Sequence, residues 1–288
     1  MKIPELFKQG RTVFSFEIFP PKKDGSIDTV YKTLDGLVDL KPDFISVTYG
    51  AGGSLPGRST RELVSLIKEK YHTESIAHLT CVNSTKEDID RAIAEFEQHG
   101  IENVLALRGD INPDIPPKDD FRYASELITY MKDRSGLSLS GGCYPEGHPA
   151  AESLDEDIEN LKKKVDAGAS HLISQMFFDN EFFYEFLEKV RKKGINVPIE
   201  AGIMPCVNAK SIQRMVSASG ASLPHKFTKI IARYENDPEA LRDAGIAYAV
   251  DQIVDLAANG VDGIHLYTMN NPYIARKISE SVSGVIRG

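Results

Sequence analysis

Segment 14–21, Phe-Ser-Phe-Glu-Ile-Phe-Pro-Pro, sets one carboxylate, Glu17, among three phenylalanines and two prolines. Removal from water disfavours the charged form of a carboxylate, and a carboxyl that keeps its proton near neutral pH can act as a general acid. The plainer reading is an ion pair with a lysine such as Lys22. His78, in Ala77-His78-Leu79-Thr80, is either a satisfied core group or one that faces a ligand. In Arg108-Gly109-Asp110 a glycine separates a cation from an anion and leaves room for backbone to approach a ligand. Pro145 and Pro149 stiffen a loop carrying Tyr144, Glu146 and His148. Asp157, Asn160 and Lys164 follow at i, i+3 and i+7, one helical face, with Lys163 beside them. A solvated polar face is the alternative there. Gln175 precedes Met176, Phe177 and Phe178, and an amide beside aromatics suits the edge of a flat heterocycle.

Thr48-Tyr49-Gly50-Ala51-Gly52-Gly53-Ser54 is a glycine-rich turn that can bring backbone N–H groups to a ligand. It lacks both the GxGxxG and the GK[ST] spacing of nucleotide loops, so a tight turn explains it equally well. No Ser–His–Asp set, HExxH or paired-carboxylate motif occurs among these residues, and no cluster of His or Cys supports a metal beside His148. One isolated carboxylate among amides and tyrosines suggests that an organic cofactor carries the hard chemistry.

The elements that must position these residues are short and apolar. Candidate strands cover 12–19, 43–48, 75–82, 103–107, 137–143, 171–177, 197–203 and 262–267, mostly continuous apolar runs that suit parallel strands buried on both faces. Helical periodicity fills the gaps. Ile89, Ile93 and Phe96 follow an N-cap at Thr85 and stop at Gly100; Ile158, Leu161 and Val165 follow Ser153 and stop at Gly168. Leu241, Ala244, Ala247, Val250, Val254 and Ala257 form a further stripe before Asn259-Gly260. Residues 112–120, with three prolines, read as a surface connection. Eight strands alternating with helices predict a (βα)8 TIM barrel with extra helices, one domain over 1–288, with its chemistry at the C-terminal strand ends. A doubly wound sheet is the alternative.

The net charge of −8 argues against nucleic acid as a partner, although it leaves room for one bound phosphate. Three scattered cysteines, Cys81, Cys143 and Cys206, predict reduced, semi-buried core residues. No secretory signal or membrane-spanning stretch is found, so a cytoplasmic protein is expected.

Taken in order, FSFEIFPP (14–21), VTYGAGGS (47–54), AHLTCV (77–82), LALRGD (105–110), RYASELI (122–128), CYPEGHP (143–149), LKKKVDAGA (161–169), ISQMFFD (173–179), GIMP (202–205) and LYTMN (266–270) cover nearly the whole chain. In this order they resemble the methylenetetrahydrofolate reductase family of the bacterial type. The resemblance implies a catalytic barrel of one-carbon metabolism holding non-covalent FAD. NADH or NADPH would reduce the flavin and leave, and 5,10-methylenetetrahydrofolate would then be reduced to 5-methyltetrahydrofolate in its place.

By position, the resemblance makes Glu17 the general acid, sets Asp110 near flavin and pterin, and gives Gln175 to folate or nicotinamide. It assigns FAD to Thr48, Tyr49, Ala51, His78, Arg108, Gly109, Asp110, Tyr123, Ala124, Tyr144, His148, Asp157, Asn160, Lys163 and Lys164, the two lysines facing the pyrophosphate. Family members are often homo-oligomers. Two positions depart: Met215 stands where some members carry an aromatic, and Asn271-Pro272 where some carry an arginine that Arg276 could replace. These departures motivate a second hypothesis, a folate- or flavin-binding subunit that takes electrons from a partner protein. A third is a pterin-binding barrel that transfers methyl groups without flavin. The regulatory domain of the eukaryotic enzymes has no counterpart in this chain, so inhibition by adenosylmethionine is not expected.

Overall fold

Eight short strands form the centre of the molecule, and each pairs in parallel with the next. In the computed structural model, which describes residues 1–21, 27–49, 58–111 and 116–287, these are β1 (Val13–Ile18), β2 (Phe44–Val47), β3 (Glu74–Thr80), β4 (Asn103–Leu107), β5 (Ser138–Cys143), β6 (His171–Ser174), β7 (Ile199–Ile203) and β8 (Gly263–Tyr267). β8 also pairs with β1, Ser15 opposite His265 and Glu17 opposite Tyr267, which closes the barrel. The expected (βα)8 architecture is what the chain adopts. The largest shortening is in β6, expected to reach Phe177. The chain leaves the sheet after Ser174 because Phe177 stacks on Phe183 at 4.9 Å and Phe178 on Phe227 at 5.0 Å, both outside the barrel.

Among the described residues ten α-helices pack around the strands: α1 (Ile27–Val38), α2 (Arg58–Tyr71), α3 (Lys86–Gln98), α4 (Ala124–Lys132), α5 (Leu154–Ala167), α6 (Asn180–Lys192), α7 (Ala209–Ser219), α8 (His225–Tyr234), α9 (Pro238–Ala258) and α10 (Pro272–Arg287). Three of them, α7 to α9, separate β7 from β8, two more than the single helix of a βα unit. Thr85 caps α3 as expected, its hydroxyl accepting from Asp88 N while the Asp88 carboxylate accepts from Thr85 N. Ser153 caps α5 through Glu156 N.

The stripe expected on α9 is a misreading. The helix buries Leu241, Gly245, Ala249, Gln252, Ile253 and Leu256, whereas Val254 is 40% exposed and Ala247 is exposed. Apolar residues occur nearly all round this helix, so periodicity could not select its face. Close approach selects it instead: a Cβ on Gly245 would stand 1.8 Å from Cys206 O.

A 3-10 helix, Ile3–Gln9, closes the N-terminal end of the barrel. Its Ile3 and Leu6 pack with Val13, Phe44, Ile76, Leu105 and Ile173 in a compact apolar layer, with Phe7 against it. Asn103 ties it down, accepting from Ile3 N at 2.9 Å and donating to Met1 O at 3.0 Å. All three cysteines are free and buried outright rather than semi-buried, and burial pushes each thiol up to about 12. Of the proline-rich connection, the described part is held by Lys118 N to Val82 O and by Lys86 N to the Asp120 carboxylate. Among the described residues no helix is long and apolar enough to cross a membrane.

Candidate active site

Glu17 is the fifth residue of the six-residue β1, at the C-terminal end of the barrel, and only 6% exposed. Its backbone carbonyl accepts from Thr268 Oγ1 at 2.6 Å, which fixes the strand end to the segment after β8. Its carboxyl Oε2 stands 3.6 Å from two imidazole nitrogens, His78 Nε2 on β3 and His265 Nε2 on β8. The lysine partner considered for Glu17, Lys22, lies outside the described residues.

For His78 the structure gives burial without a full set of hydrogen bonds. It is buried, its Nε2 has no hydrogen-bond partner, and burial pushes its imidazolium down to about 4, so the ring is neutral near pH 7. An unpartnered buried nitrogen costs free energy unless something arrives to meet it.

Beside this pair the C-terminal ends of β4, β5 and β6 surround a cavity of about 290 Å³. Arg108, Asp110, Tyr144, His148 and Gln175 line it, with Pro149, Ala150 and, from α7, Ala218 and Ser219. Gly109 takes φ +88°, and a Cβ there would meet Thr80 Cβ at 3.0 Å, so the tripeptide can turn only with glycine at its centre. Tyr144 and His148 pack edge to face with ring centroids 4.7 Å apart. Burial pushes the Tyr144 phenol up to about 12 and holds the His148 imidazolium below its usual range, the Arg108 charge adding to the latter. The Gln175 Oε1 accepts from Met176 N at 2.9 Å, which fixes the amide and leaves its N–H pair as donors.

Behind this cavity α5 contributes its polar face. Asp157 is buried, accepts from His148 N at 3.1 Å and is raised above the usual carboxylate range by burial. Lys164 donates to Gly142 O at 2.8 Å, and burial lowers its ammonium below the usual lysine range. Asn160 is half-buried and accepts from the exposed Lys163 at 2.8 Å, so this face is not simply solvated. Tyr123 precedes α4 with its side chain 61% exposed, and Ala124 begins the helix, buried. Just before the helix, Arg122 N and Tyr123 N both donate to Glu126 Oε2. Thr48 and Tyr49 follow β2. The Thr48 carbonyl accepts from Thr60 Oγ1, and burial pushes the Tyr49 phenol up to about 12 as its ring packs against the outer core. Ala51 and the rest of the glycine-rich turn lie outside the described residues.

Thus Arg108, Asp110, Tyr144, His148 and Gln175 share one cavity, Asp157, Asn160, Lys163 and Lys164 lie behind it, and Glu17 and His78 form a neighbouring pair. The set fits a flat heterocycle with an anionic tail: a buried imidazole nitrogen without a partner, a glycine at closest approach, and cations on β4 and α5.

Arg276 does not reach this end. Its guanidinium donates to Gly36 O at 3.3 Å and lines a crevice with Asp39 and Leu40 on the outer helical layer. Met215 packs in an apolar cluster with Phe178, Met204 and Phe227, and Asn271 Oδ1 accepts from Ile274 N at the start of α10.

Sequence reasoning missed the polar barrel interior. Ser15, Ser46, Ser140, His171, Glu200 and His265 are all fully buried. Ser15 bonds to Glu200 on β7 and Ser46 to His265 on β8, contacts between non-adjacent strands that only the inside of a barrel allows. The available signal was the spacing of two between Ser15 and Glu17 and between His265 and Tyr267, since alternate strand residues face the same side.

A family model described as Methylenetetrahydrofolate reductase matches residues 2–283. The 5,10-methylenetetrahydrofolate reductase of Pectobacterium carotovorum subsp. carotovorum is 36% identical over 274 residues, covering 95% of this chain and 91% of that protein. Methylenetetrahydrofolate reductase (NADH) 1 of Arabidopsis thaliana is also 36% identical, over 93% of this chain but 48% of its own length. Among solved structures, an uncharacterized Clostridium thermocellum protein that binds two copies of 5-methyl-5,6,7,8-tetrahydrofolic acid superimposes with a TM-score of 0.69, covering 100% of both chains; at 14% identity it shares the fold. With a matched length that takes in all eight strands and the cavity they surround, the chain belongs to the methylenetetrahydrofolate reductase family.

Proposed function

We propose that the protein reduces 5,10-methylenetetrahydrofolate to 5-methyltetrahydrofolate at the C-terminal mouth of the barrel, in two alternating half-reactions with FAD as cofactor and NAD(P)H as electron donor. The observation that carries this reading is a buried carboxyl, Glu17, beside a cavity lined for a flat heterocycle, in a chain of this family. FAD, held by the residues named below, would supply the hydride-transfer chemistry that couples nicotinamide oxidation to folate reduction.

The chain's own residues do the rest. Arg108, Lys163 and Lys164 offer positive charge to the diphosphate, which explains how an acidic protein holds an anionic cofactor. Gly109 lets the β4 backbone approach the flavin, and the unpartnered His78 Nε2 awaits a hydrogen bond. Thr48, Tyr49, Ala51, Tyr123, Ala124, Tyr144, His148, Asp157 and Asn160 complete the FAD site. Glu17 donates its proton to a nitrogen of the folate imidazolidine ring, which opens the ring to the reactive iminium. Asp110, exposed at the cavity edge, accepts from pterin N–H groups, and the Gln175 amide donates to folate or nicotinamide. The Arabidopsis relative is named for NADH, which makes NADH the first donor to try.

The visible spectrum of the purified protein, with any chromophore released and identified, tests the cofactor half. FAD is expected, and failure to bind added FAD would remove the site assignments together. Glu17→Gln should keep the flavin and its bleaching by NADH but lose folate turnover by about 100-fold or more, the usual scale for a general acid. Folate turnover at the wild-type rate would overturn the role of Glu17.

A further inference from the structure

Below Glu17 a chain of polar groups runs through the barrel, and the reaction as described makes no use of it. Ser15 Oγ lies 2.6 Å from His265 Nδ1 and 2.8 Å from Glu200 Oε1. Glu200 Oε2 lies 3.0 Å from His171 Nε2, and His171 Nδ1 lies 3.0 Å from Ser140 Oγ. All five side chains are 0% exposed. The protein keeps them where apolar residues would fill the same volume without a desolvation cost.

With Glu200 taken as ionised, the directions of these bonds follow. An ionised Glu200 can only accept, so the Ser15 hydroxyl donates to it. That hydroxyl must then accept from His265, which puts a hydrogen on Nδ1 and leaves Nε2 to face Glu17 Oε2 at 3.6 Å. Ser46 Oγ lies 3.3 Å from the same Nε2. A carboxylate sealed in this interior needs a positive charge nearby, and His265 and His171 are the groups bonded into its network that can carry one.

The other groups facing His265 do not compete for this role. Phe44 on β2 stacks over its ring at 6.1 Å, and Tyr267 meets it edge-on at 5.4 Å while donating its hydroxyl to Ser174 O. His78 on β3 is equally near Glu17, but burial holds it neutral, with a value of about 4.

We propose that the proton Glu17 delivers is shared with His265, passing between Glu17 Oε2 and His265 Nε2, and that Ser15 and Glu200 hold the imidazole in the tautomer and orientation this requires. The proton leaves one heteroatom as it joins the other, and no other bond changes. The transfer requires the 3.6 Å separation to close to hydrogen-bond distance, and the terminal torsion of Glu17 is the soft one that would have to turn. When the proton sits on His265, the imidazolium lies between two carboxylates. When it sits on Glu17, the acid is loaded. His265 is therefore a positioning residue that acts on substrate only through Glu17. The inference rests on the reading of Glu17 as the acid.

The sign of the test follows from the sharing. A proton with two sites is bound at least as tightly as a proton with one, so removing His265 moves proton loss to lower pH. The NADH-reduced holoenzyme is mixed rapidly with methylenetetrahydrofolate across the pH range in which the protein is folded. In His265→Asn the alkaline fall of folate reduction should come about one pH unit lower than in wild type, the scale of one lost charge or hydrogen-bond partner. Glu200→Gln and Ser15→Ala should shift it the same way by less. Reduction of the bound flavin by NADH should be unchanged.

Wild-type enzyme that bleaches with NADH but never turns over folate overturns both readings. Folate turnover with coincident profiles in wild type and His265→Asn overturns the sharing alone. Should His265→Asn fail to fold, nitrogen-15 NMR of the histidines in the wild-type protein decides. The His265 ring should carry hydrogen on Nδ1 throughout, and its Nε2 signal should move in Glu17→Gln. A bare Nδ1, or an Nε2 signal indifferent to Glu17, overturns the proposal.

Discussion

His78 shows how one buried side chain links site and stability. Its imidazolium sits at about 4 in the folded protein against 6.5 in the unfolded chain, because burial penalises the charged form. Between those values the unfolded state binds more protons, so stability is full above pH 6.5 and declines as pH falls toward 4. The loss amounts to about 3 kcal/mol at about 1.4 kcal/mol per unit. Urea unfolding of the flavin-free protein should show this decline, and His78→Asn should flatten it. An equal slope in the variant would place the acid sensitivity elsewhere. Of the site, Glu17 and the Arg108–Asp110 tripeptide were legible because each stands beside prolines or a glycine that mark a strand end. His265 and Glu200 were not, because a polar residue inside a short apolar strand looks the same whether it faces out or in. Only closure of the barrel brings Ser15 to Glu200 and Ser46 to His265.

Among the elements, the strands were the easier reading. Double-sided burial gives each an apolar run, interrupted by the inward polar residues, and all eight lie where those runs are. Helix caps were legible too, since Thr85 and Ser153 act through bonds to residues three positions away. The face of α9 was not, because its inward side is set by a glycine that no hydrophobicity pattern rewards. Gly245→Ala tests that account. In an exposed helix the change would gain about 1 kcal/mol from helix propensity. Here the added Cβ would stand 1.8 Å from Cys206 O, so α9 or the segment after β7 must move. Overpacking costs of about 1–3 kcal/mol outweigh the propensity gain. Thermal unfolding followed by circular dichroism should show a lower midpoint, and a midpoint equal to or above wild type would refute this packing.

For the whole molecule, ligand binding and folding are linked because the proposed FAD residues come from β2 through α5 and exist as a set only in the closed barrel. FAD at about 100 times its Kd should stabilise the protein by about 2.7 kcal/mol. In a chain of this size that raises Tm by about 4–5 °C. Lys164→Met should lose most of the increment; a full increment in that variant would show that the lysine is not at the diphosphate. The floor of the barrel adds a constraint of its own. Ile3, Leu6 and Phe7 stopper one end, with Phe7 lying 5.1 Å from the His171 ring. The barrel is therefore a cup, and whatever enters last must leave first. Under the proposed function, a reductant resting over the flavin would block the folate by standing in its doorway, and the folate would do the same in turn. Under the same proposal water would reach Glu17 through that opening, so the interval between one guest leaving and the next arriving would also be when the acid regains its proton.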